Sequence, residues 1–419
     1  MVMSSTRFPS AAQPPVAVVS DYALDYTGGA QTAMVAECRS LVEAGVRVLL
    51  VVPRSATTLP LDGIDVRPIP APRIPVAQLP VVRNSRRTRA LLERLLRDEG
   101  VGAVHVHSEF GLAVAALEVA AALSIPSVAT VHTFFWRGVP GCAGRVLAPL
   151  AATYVAAVTG VRPRPDRGGD DRLGALLREV TRSAAARADL VISPSAHQAE
   201  ALRRAGLERV EVLPNTVIRR DSGHRIEERV AADTPGPLRL LWVGRCAPEK
   251  RLVPFVEACL AVLARDPDAL RVEVIGTGPS LARAVRLAAG SPAVVFRGFV
   301  ENRRIGDAYR RSDLVALTSS GFDNQPMVVV EALQGGRGIL YVDPALTEGL
   351  DGPGLLAPVE PAAFAEYLER LCRDRAPVRA AAAAARTAFA AFAPEAHAAA
   401  VLALHGAARE IAGLRAARE

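Results

Sequence analysis

Short β-branched runs return along this chain at intervals of about one helix, and that alternation constrains the fold more than any other feature. The first series reads VAVVS (16–20), VRVLLVV (46–52), AVHVH (103–107), SVATV (127–131), DLVIS (189–193) and VEVLP (210–214). Helix-length segments fall between them at 30–44, 86–99, 111–123 and 195–205. A polar stretch from Asn215 ends in TPGP and reads as a linker. A second series follows, with LRLLWVG (238–244), RVEVIG (271–276), VVFRG (294–298), DLVALTS (313–319) and GILYV (338–342). Its helices fit 249–263, 280–289, 303–311 and 327–335. Two such series imply an α/β chain of two Rossmann-like domains facing a cleft. The expected division is 1–215, a linker at 216–237, a second domain at 238–392, and a C-terminal helix at 393–419 that packs back on the first domain. Composition alone leaves either domain open as the partner of that Ala-rich tail. Residues 138–187, with VPGCAG and VRPRPDRGGDD, read as an insertion or long loop, either a binding surface or a plain surface excursion.

A chain of 419 residues, half of them hydrophobic, can bury two cores and is not generally disordered. The five cysteines are scattered with no metal-ligand or redox spacing, which points to a reducing compartment without structural zinc. The N-terminal residues before Val16 hold no apolar signal core. The longest apolar run, 146–161, is interrupted by Pro149, Thr153, Thr159 and Gly160 and is too short to span a bilayer convincingly. The expectation is a cytoplasmic protein. A net charge of +7 suits phosphates or an anionic membrane surface. With only 5% aromatic residues and no basic–aromatic alternation, nucleic acid is not expected as a partner.

The chemistry concentrates in residues 318–336, TSSGFDNQPMVVVEALQGG. Asp323 precedes a helix start and Glu331 lies one to two turns inside it, with Asn324, Gln325 and Pro326 as turn or helix-starting residues. Carboxylates suit hydroxyls, and a helix's first N–H groups, here those of Met327 and Val328, suit phosphate. A capped helix with one exposed Glu is the plain alternative. Gly244 and Arg245 end the strand LRLLWVG, and Lys250 follows at a helix start, so two cations stand where a diphosphate could dock. Each alone would pass for a solvated surface residue. Gly28 and Gly29 precede a helix, and Gly276 and Gly278 end a strand, so backbone can approach a ligand at both places or simply turn. His105 and His107 alternate on one strand and His132 ends another. A metal on the HxH pair lacks a third matching ligand, and none is expected. Residues 83–97 carry Arg83, Arg86, Arg87, Arg89, Arg94 and Arg97 around a leucine stripe. This fits an ordinary domain helix or one lying on an anionic membrane.

In this order the segments resemble a family 4 glycosyltransferase of the GT-B fold, from Val16 to about Pro358. The most specific part is GRCAPEKR (244–251), VIGTGP (274–279), FRGFV (296–300) and the 318–336 run. The family's paired acids are usually both Glu; here Asp323 stands in the first place, one methylene shorter, and Pro326 stands where Gly is common and lacks an N–H. The resemblance implies transfer of a sugar from a UDP- or GDP-sugar to a hydroxyl with retention of configuration, using no metal or other cofactor. It makes the first domain acceptor-binding and the second nucleotide-sugar-binding. By resemblance His132 meets the transferred sugar, Arg245 and Lys250 neutralise the diphosphate, and Asp323 binds the sugar. Glu331 binds the ribose, Val300 lies where the base docks, backbone near Met327 meets phosphate, and Gly29 approaches the diphosphate. The 104–136 segment is similar to members that glucosylate diacylglycerol or mannosylate phosphatidylinositol. That similarity adds a lipid or lipid-linked acceptor and a peripheral place at the inner face of the membrane. A soluble acceptor (a natural-product aglycone or sugar phosphate) and a non-catalytic sugar-nucleotide-binding protein are the competing readings. A GT-B-fold epimerase or phosphorylase would lack the Arg–Lys and paired-acid combination.

Overall fold

The computed structural model describes residues 13–24, 28–54, 61–72, 81–133, 142–162, 171–218, 236–321 and 323–417. Residues 219–235 of the expected linker (216–237) and parts of the 138–187 segment (138–141 and 163–170) lie outside the described residues. The chain divides into two compact units, the first comprising 1–193, 201–211 and 398–419, the second 194–200 and 212–397.

The apolar runs of the first unit become β1 (Val16–Val19), β2 (Val48–Pro53), β3 (Asp65–Ile69), β4 (Ala103–Val106), β5 (Ser127–Thr130), β6 (Leu190–Ser193) and β7 (Val210–Val212). They lie side by side as β3-β2-β1-β4-β5-β6-β7, with parallel registers such as Val16 opposite both Val48 and Ala103. Crossovers run through α1 (Gly29–Glu43), α2 (Arg86–Asp98), α3 (Gly111–Ala122), α4 (Cys142–Thr159), α5 (Arg172–Ala185) and α6 (Ala196–Arg204). Strands covered on both faces must be apolar throughout, and β1, β2, β4, β5 and β6 are buried at every position.

The segment read as an irregular insertion forms the two helices α4 and α5. Pro149 and the flanking Gly and Pro residues masked a helical composition that tertiary packing secures. The strand β3, DVRPI, went unread because Pro68 and alternating polar residues suit an edge strand without marking one. On α2, Ser85 caps the start by accepting from Thr88 N at 3.1 Å, and Leu92 and Leu96 are fully buried. Burying each leucine contributes about 1.5–3 kcal/mol. Arg86, Arg87 and Arg94 stay exposed, and so does Leu91.

The second unit repeats the plan with β8 (Leu238–Val243), β9 (Leu270–Ile275), β10 (Val294–Gly298), β11 (Leu314–Leu317), β12 (Gly338–Tyr341) and β13 (Gly354–Leu356). Their order is β10-β9-β8-β11-β12-β13, all neighbours parallel. Its helices are α7 (Leu252–Leu263), α8 (Leu281–Leu287), α9 (Asn302–Arg311), α10 (Met327–Gln334), α11 (Pro361–Arg373) and α12 (Ala376–Ala388). One core fills the space between the sheet and α7 and α11 around Trp242, Phe255 and Phe364. Another gathers on Tyr309, Val330 and Phe392.

A last helix, α13 (Pro394–Ala416), follows a short 3-10 turn at Phe389–Phe392. From residue 398 it belongs to the first unit, where His405 meets His105 and Arg415 pairs with Asp189 at 2.7 Å. By length and composition the 376–415 stretch is the one among the described residues apolar enough to cross a membrane. Its Val378, Ala381, Ala385, Ala398, Val401 and Ala408 are nevertheless buried in protein.

In both units the strand order reverses once, at β1/β4 and at β8/β11. Successive crossovers leave on opposite sides there, so the loops part and open a crevice at the carboxyl ends of the strands.

Candidate functional site

In the second unit the loops after β8 and β11 carry most of the residues singled out in the sequence. The helix expected over 249–263 is broken: Pro248–Lys250 form a 3-10 turn and Arg251 takes a left-handed conformation, φ 54°, before α7 begins. The break turns Lys250 toward β11, where its Nζ donates to Asp323 Oδ1. Ser319 donates to the other oxygen of the same carboxylate. Behind them Trp242 Nε1 donates to Thr318 Oγ1 at 3.0 Å, and that hydroxyl donates to the Lys250 carbonyl at 2.7 Å. Five residues from two strand ends thus form one braced assembly. Trp242, Thr318 and Ser319 were missed as its members, although the TSS run adjoining Asp323 was their signal.

Arg245 pairs with Glu249 at 2.7 Å, but its side chain is 56% exposed. An exposed ion pair of this kind holds by only about 0–1 kcal/mol, so the guanidinium is cheaply re-aimed. Helix α10 starts at Met327 with Pro326 as its N-cap and no side-chain cap. Pro326 precedes the first helical N–H groups, so its missing N–H takes nothing from Met327 and Val328. Glu331 is buried on the inner side of α10, where Tyr309 Oη donates to it at 2.7 Å. Val300 packs against the core beside β10.

Asn324 and Gln325 hold other segments of the unit in place. Asn324 Nδ2 donates to Gln198 Oε1 at 2.8 Å and Ser195 donates to Asn324 Oδ1, while Gln325 Oε1 accepts from Asn215 N at 2.9 Å. Gly276 has φ 142°, and a Cβ there would stand 1.8 Å from the Gly244 carbonyl oxygen. Its glycine identity therefore answers to the chain's own packing of the β8 and β9 ends. Gly244 itself would accept a Cβ at ordinary contact distance.

In the first unit Gly28 caps α1, and a Cβ on Gly29 would meet nothing within 4 Å, so that helix start is open to close approach. The crevice at β1/β4 is occupied differently. Asp21 accepts from Ser108 Oγ and Leu112 N at 2.7 Å and from Phe110 N and Ala113 N at 3.2 Å, sealing the start of α3. Burial outweighs these bonds and raises its carboxyl above the usual range. Glu109, beside it, is buried; burial and the Asp21 charge push it to about 8, and its Oε1 has no hydrogen-bond partner among the described residues. It borders an apolar recess formed by Val114, Val155, Val161, Val180 and Ala184.

A carboxyl raised from 4.5 to about 8 holds a proton on folding that the unfolded chain has lost between those values. Its contribution to stability is therefore full below pH 4.5 and is lost as pH rises through 8, on the order of several kcal/mol at most. Glu109→Gln is expected to remove that slope. Urea midpoints of both proteins at pH 5, 6.5 and 8 test it, and a difference that does not grow with pH defeats it.

The two histidines of β4 do find partners that sequence spacing concealed. Glu37 Oε1, on the buried face of α1, lies 2.9 Å from His105 Nδ1 and 3.1 Å from His107 Nε2. These three ligand atoms lie within 4.8 Å of one another, near enough for one cation and equally suited to hydrogen bonds. His107 Nδ1 is 2.9 Å from His132 Nε2, which places His132 at the edge of the cluster, half-buried after β5. A glutamate on the buried side of MVAECRSLVE was the signal for Glu37.

Two successive parallel α/β units of this kind have the plan of a GT-B glycosyltransferase. Residues 27–220 match the model for Glycosyltransferase Family 4, and residues 237–374 match the model for Glycosyl transferases group 1. The chain is a glycosyltransferase whose first half matches the family 4 model and whose second half matches the group 1 model. No curated protein matches it in sequence. Among solved structures, HepE of Anabaena in complex with UDP superposes with a TM-score of 0.63 at 16% identity, covering 94% of this chain and 100% of that one. Sucrose-phosphate synthase from Thermosynechococcus elongatus gives 0.62 at 18%, covering 94% and 98%. The pneumococcal O-GlcNAc transferase GtfA in complex with UDP and GlcNAc gives 0.61 at 10%, covering 94% and 99%. At these identities the likeness establishes a shared fold.

Proposed function

We propose that this glycosyltransferase takes a sugar from a nucleotide-diphosphate donor, a UDP-sugar before a GDP-sugar, and passes it to a hydroxyl with retention of configuration. The observation that carries the reading is the convergence of Lys250, Arg245 and the start of α10 at the β8/β11 switch point. The two similar structures holding UDP favour that nucleotide. In the reaction the bond from the anomeric carbon to the β-phosphate oxygen breaks, and its electron pair leaves with the phosphate. The acceptor oxygen bonds to the anomeric carbon on the same face, and its proton passes to the departing phosphate oxygen. Charge grows on the diphosphate, where Arg245, Lys250 and the N–H groups of Met327 and Val328 stabilise it. Glu331 holds the ribose, and Asp323 and His132 meet sugar hydroxyls. No metal or other cofactor enters this scheme.

Thermal unfolding with a panel of UDP, GDP, ADP and their sugars tests the donor. At a hundredfold excess over its dissociation constant the true nucleotide adds about 2.7 kcal/mol of stability by mass action. A panel that leaves the melting temperature unmoved, with no donor consumed, removes the reading.

For the acceptor we favour a lipid or lipid-linked hydroxyl, met by a cytoplasmic enzyme resting on the inner membrane face. The support is α2, whose exposed side presents Arg86, Arg87, Arg94 and Leu91 while its buried leucines anchor it. The protein is expected to sediment with vesicles containing phosphatidylglycerol and to leave them at about 1 M salt, where the Debye length falls to about 3 Å. Binding unchanged in the R86A/R87A/R94A variant excludes this helix and favours a soluble acceptor.

A further inference from the structure

Residues 146–161 hold no charged side chain, and within α4 they are apolar on both faces. Ala148, Val155 and Val158 are buried, which accounts for the inner face. The outer face is an exposed stripe of Pro149, Leu150, Thr153, Tyr154 and Ala157, at the spacing of one side of a helix. Leu150 is 65% exposed and Tyr154 43% exposed. Thr153 adds little polarity, because its hydroxyl donates to the Pro149 carbonyl at 2.9 Å. An apolar stripe left in water on a long helix is a sign of something that covers it.

The end of this helix is riveted to the start of α2. A helix's last carbonyls lack internal partners, and here three of them are met by residues 83 and 84. Arg83 Nε donates to Ala157 O at 3.1 Å, Asn84 N to Val158 O at 2.7 Å, and Asn84 Nδ2 to Thr159 O at 2.9 Å. Gly111, at the start of α3, leaves room for the junction. A Cβ there would stand 2.2 Å from Val82 O and 2.6 Å from Val158 O. Tyr154 lies one turn before Ala157, about 4.5 Å along the axis, and Leu150 about 10 Å. The apolar stripe therefore runs directly into the exposed Arg83, Arg86 and Arg87. Arg89 and Arg97 are committed to Glu118 and Glu93. Arg86 and Arg87 have no carboxylate partner among the described residues.

We infer that the outer face of α4 and the basic start of α2 form one docking surface for an anionic bilayer, Leu150 and Tyr154 entering its acyl boundary and the arginines meeting its phosphates. This rests on the lipid reading above and deepens it by naming the element that enters the membrane. A run too short to cross a bilayer is long enough to lie in its surface, about 5–10 Å deep. Tyrosine suits that depth, with an apolar ring and a polar tip. Charge decides between possible occupants. A second copy docked symmetrically through this face would bring both sets of arginines together, whereas anionic headgroups neutralise them.

The test measures partition of the full chain into phosphatidylcholine vesicles with and without phosphatidylglycerol. L150S/Y154S should lower partition into the anionic vesicles at least about tenfold. What binding remains should vanish at high salt, since only charge is left to hold it. Its melting temperature should stay within about 2 °C of the wild type, because both side chains are on the surface. Tyr154→Trp adds an indole to the chain's own two tryptophans. Its added emission should shift to the blue on vesicles and be quenched by lipids brominated along the chain.

Partition unchanged in L150S/Y154S overturns the inference, and so does added emission that bound vesicles leave unquenched. A dimer of the wild type that L150S/Y154S dissociates, with vesicle binding untouched, assigns the face to a second copy instead. Binding lost in R86A/R87A/R94A yet intact in L150S/Y154S sinks this inference and leaves the lipid reading standing. A wild type that binds none of the vesicles removes the lipid reading itself, and this inference with it.

Discussion

Lys250→Ala is expected to lower turnover about 10²–10³-fold, the usual consequence of removing one fixed group that stabilises charge on a leaving oxygen. The structure predicts two separable effects. Lys250 is the cation partner of Asp323, whose side chain is only 9% exposed, so the variant also strands a carboxylate beside Ser319. Leaving it unpaired costs about 1–3 kcal/mol of stability. Adding Asp323→Asn should restore most of that stability, because a neutral amide needs no cation, yet leave turnover low. Melting temperature and initial rate measured on the single and double variants separate the two. Recovery of rate in the double variant would mean that turnover needs neither the Lys250 cation nor the Asp323 carboxylate.

The second large effect is structural. Gly276→Ala should destabilise the second unit by about 3 kcal/mol or more, because strain at a glycine-only conformation adds to an impossible contact. The new methyl would stand 1.8 Å from the Gly244 carbonyl oxygen, and the backbone there sits at φ 142°. Moving either strand end disturbs the parallel β8–β9 register from Leu238 opposite Leu270 to Val243 opposite Ile275. A fall in melting temperature of about 6–12 °C is expected for a unit of this size. Gly29→Ala is the comparison, since nothing lies within 4 Å of its Cβ and Ala favours a helix start. That variant should melt within a degree or two of the wild type. Equal melting of both variants would show that the β8–β9 loops give way more easily than their contacts imply.

How far the sequence spoke depended on the range of the interactions involved. Buried parallel strands need unbroken apolar runs, so β1, β4, β5, β8 and β11 could be read within a residue or two. The edge strand β3 and the three-residue β13 carry no such requirement and went unread. The helices α4 and α5 hid behind Pro149 and glycine-rich flanks, because their stability comes from packing on each other and the sheet rather than from a tidy pattern.

The places of Arg245, Lys250, Asp323 and Glu331 at two strand ends could be read because their spacing along the chain is local. What the sequence could not show was that Lys250 turns at a left-handed Arg251 to meet Asp323. Nor could it show that Asn324 and Gln325 tie down Ser195, Gln198 and Asn215 of the same unit. The Glu37–His107–His132 line joins residues 70 and 25 positions apart. Contacts that distant leave no periodic trace in one chain.

The seal that Asp21 places on α3 bears on selectivity by rejection. A helix start is where a phosphorylated substrate would ordinarily gain affinity, and here four donors already point at the chain's own carboxylate. With those four donors taken by the Asp21 carboxylate, the start of α3 has none of them left for an anion. An uncharged group placed there would meet no such penalty, so the seal is expected to discriminate by charge rather than by shape.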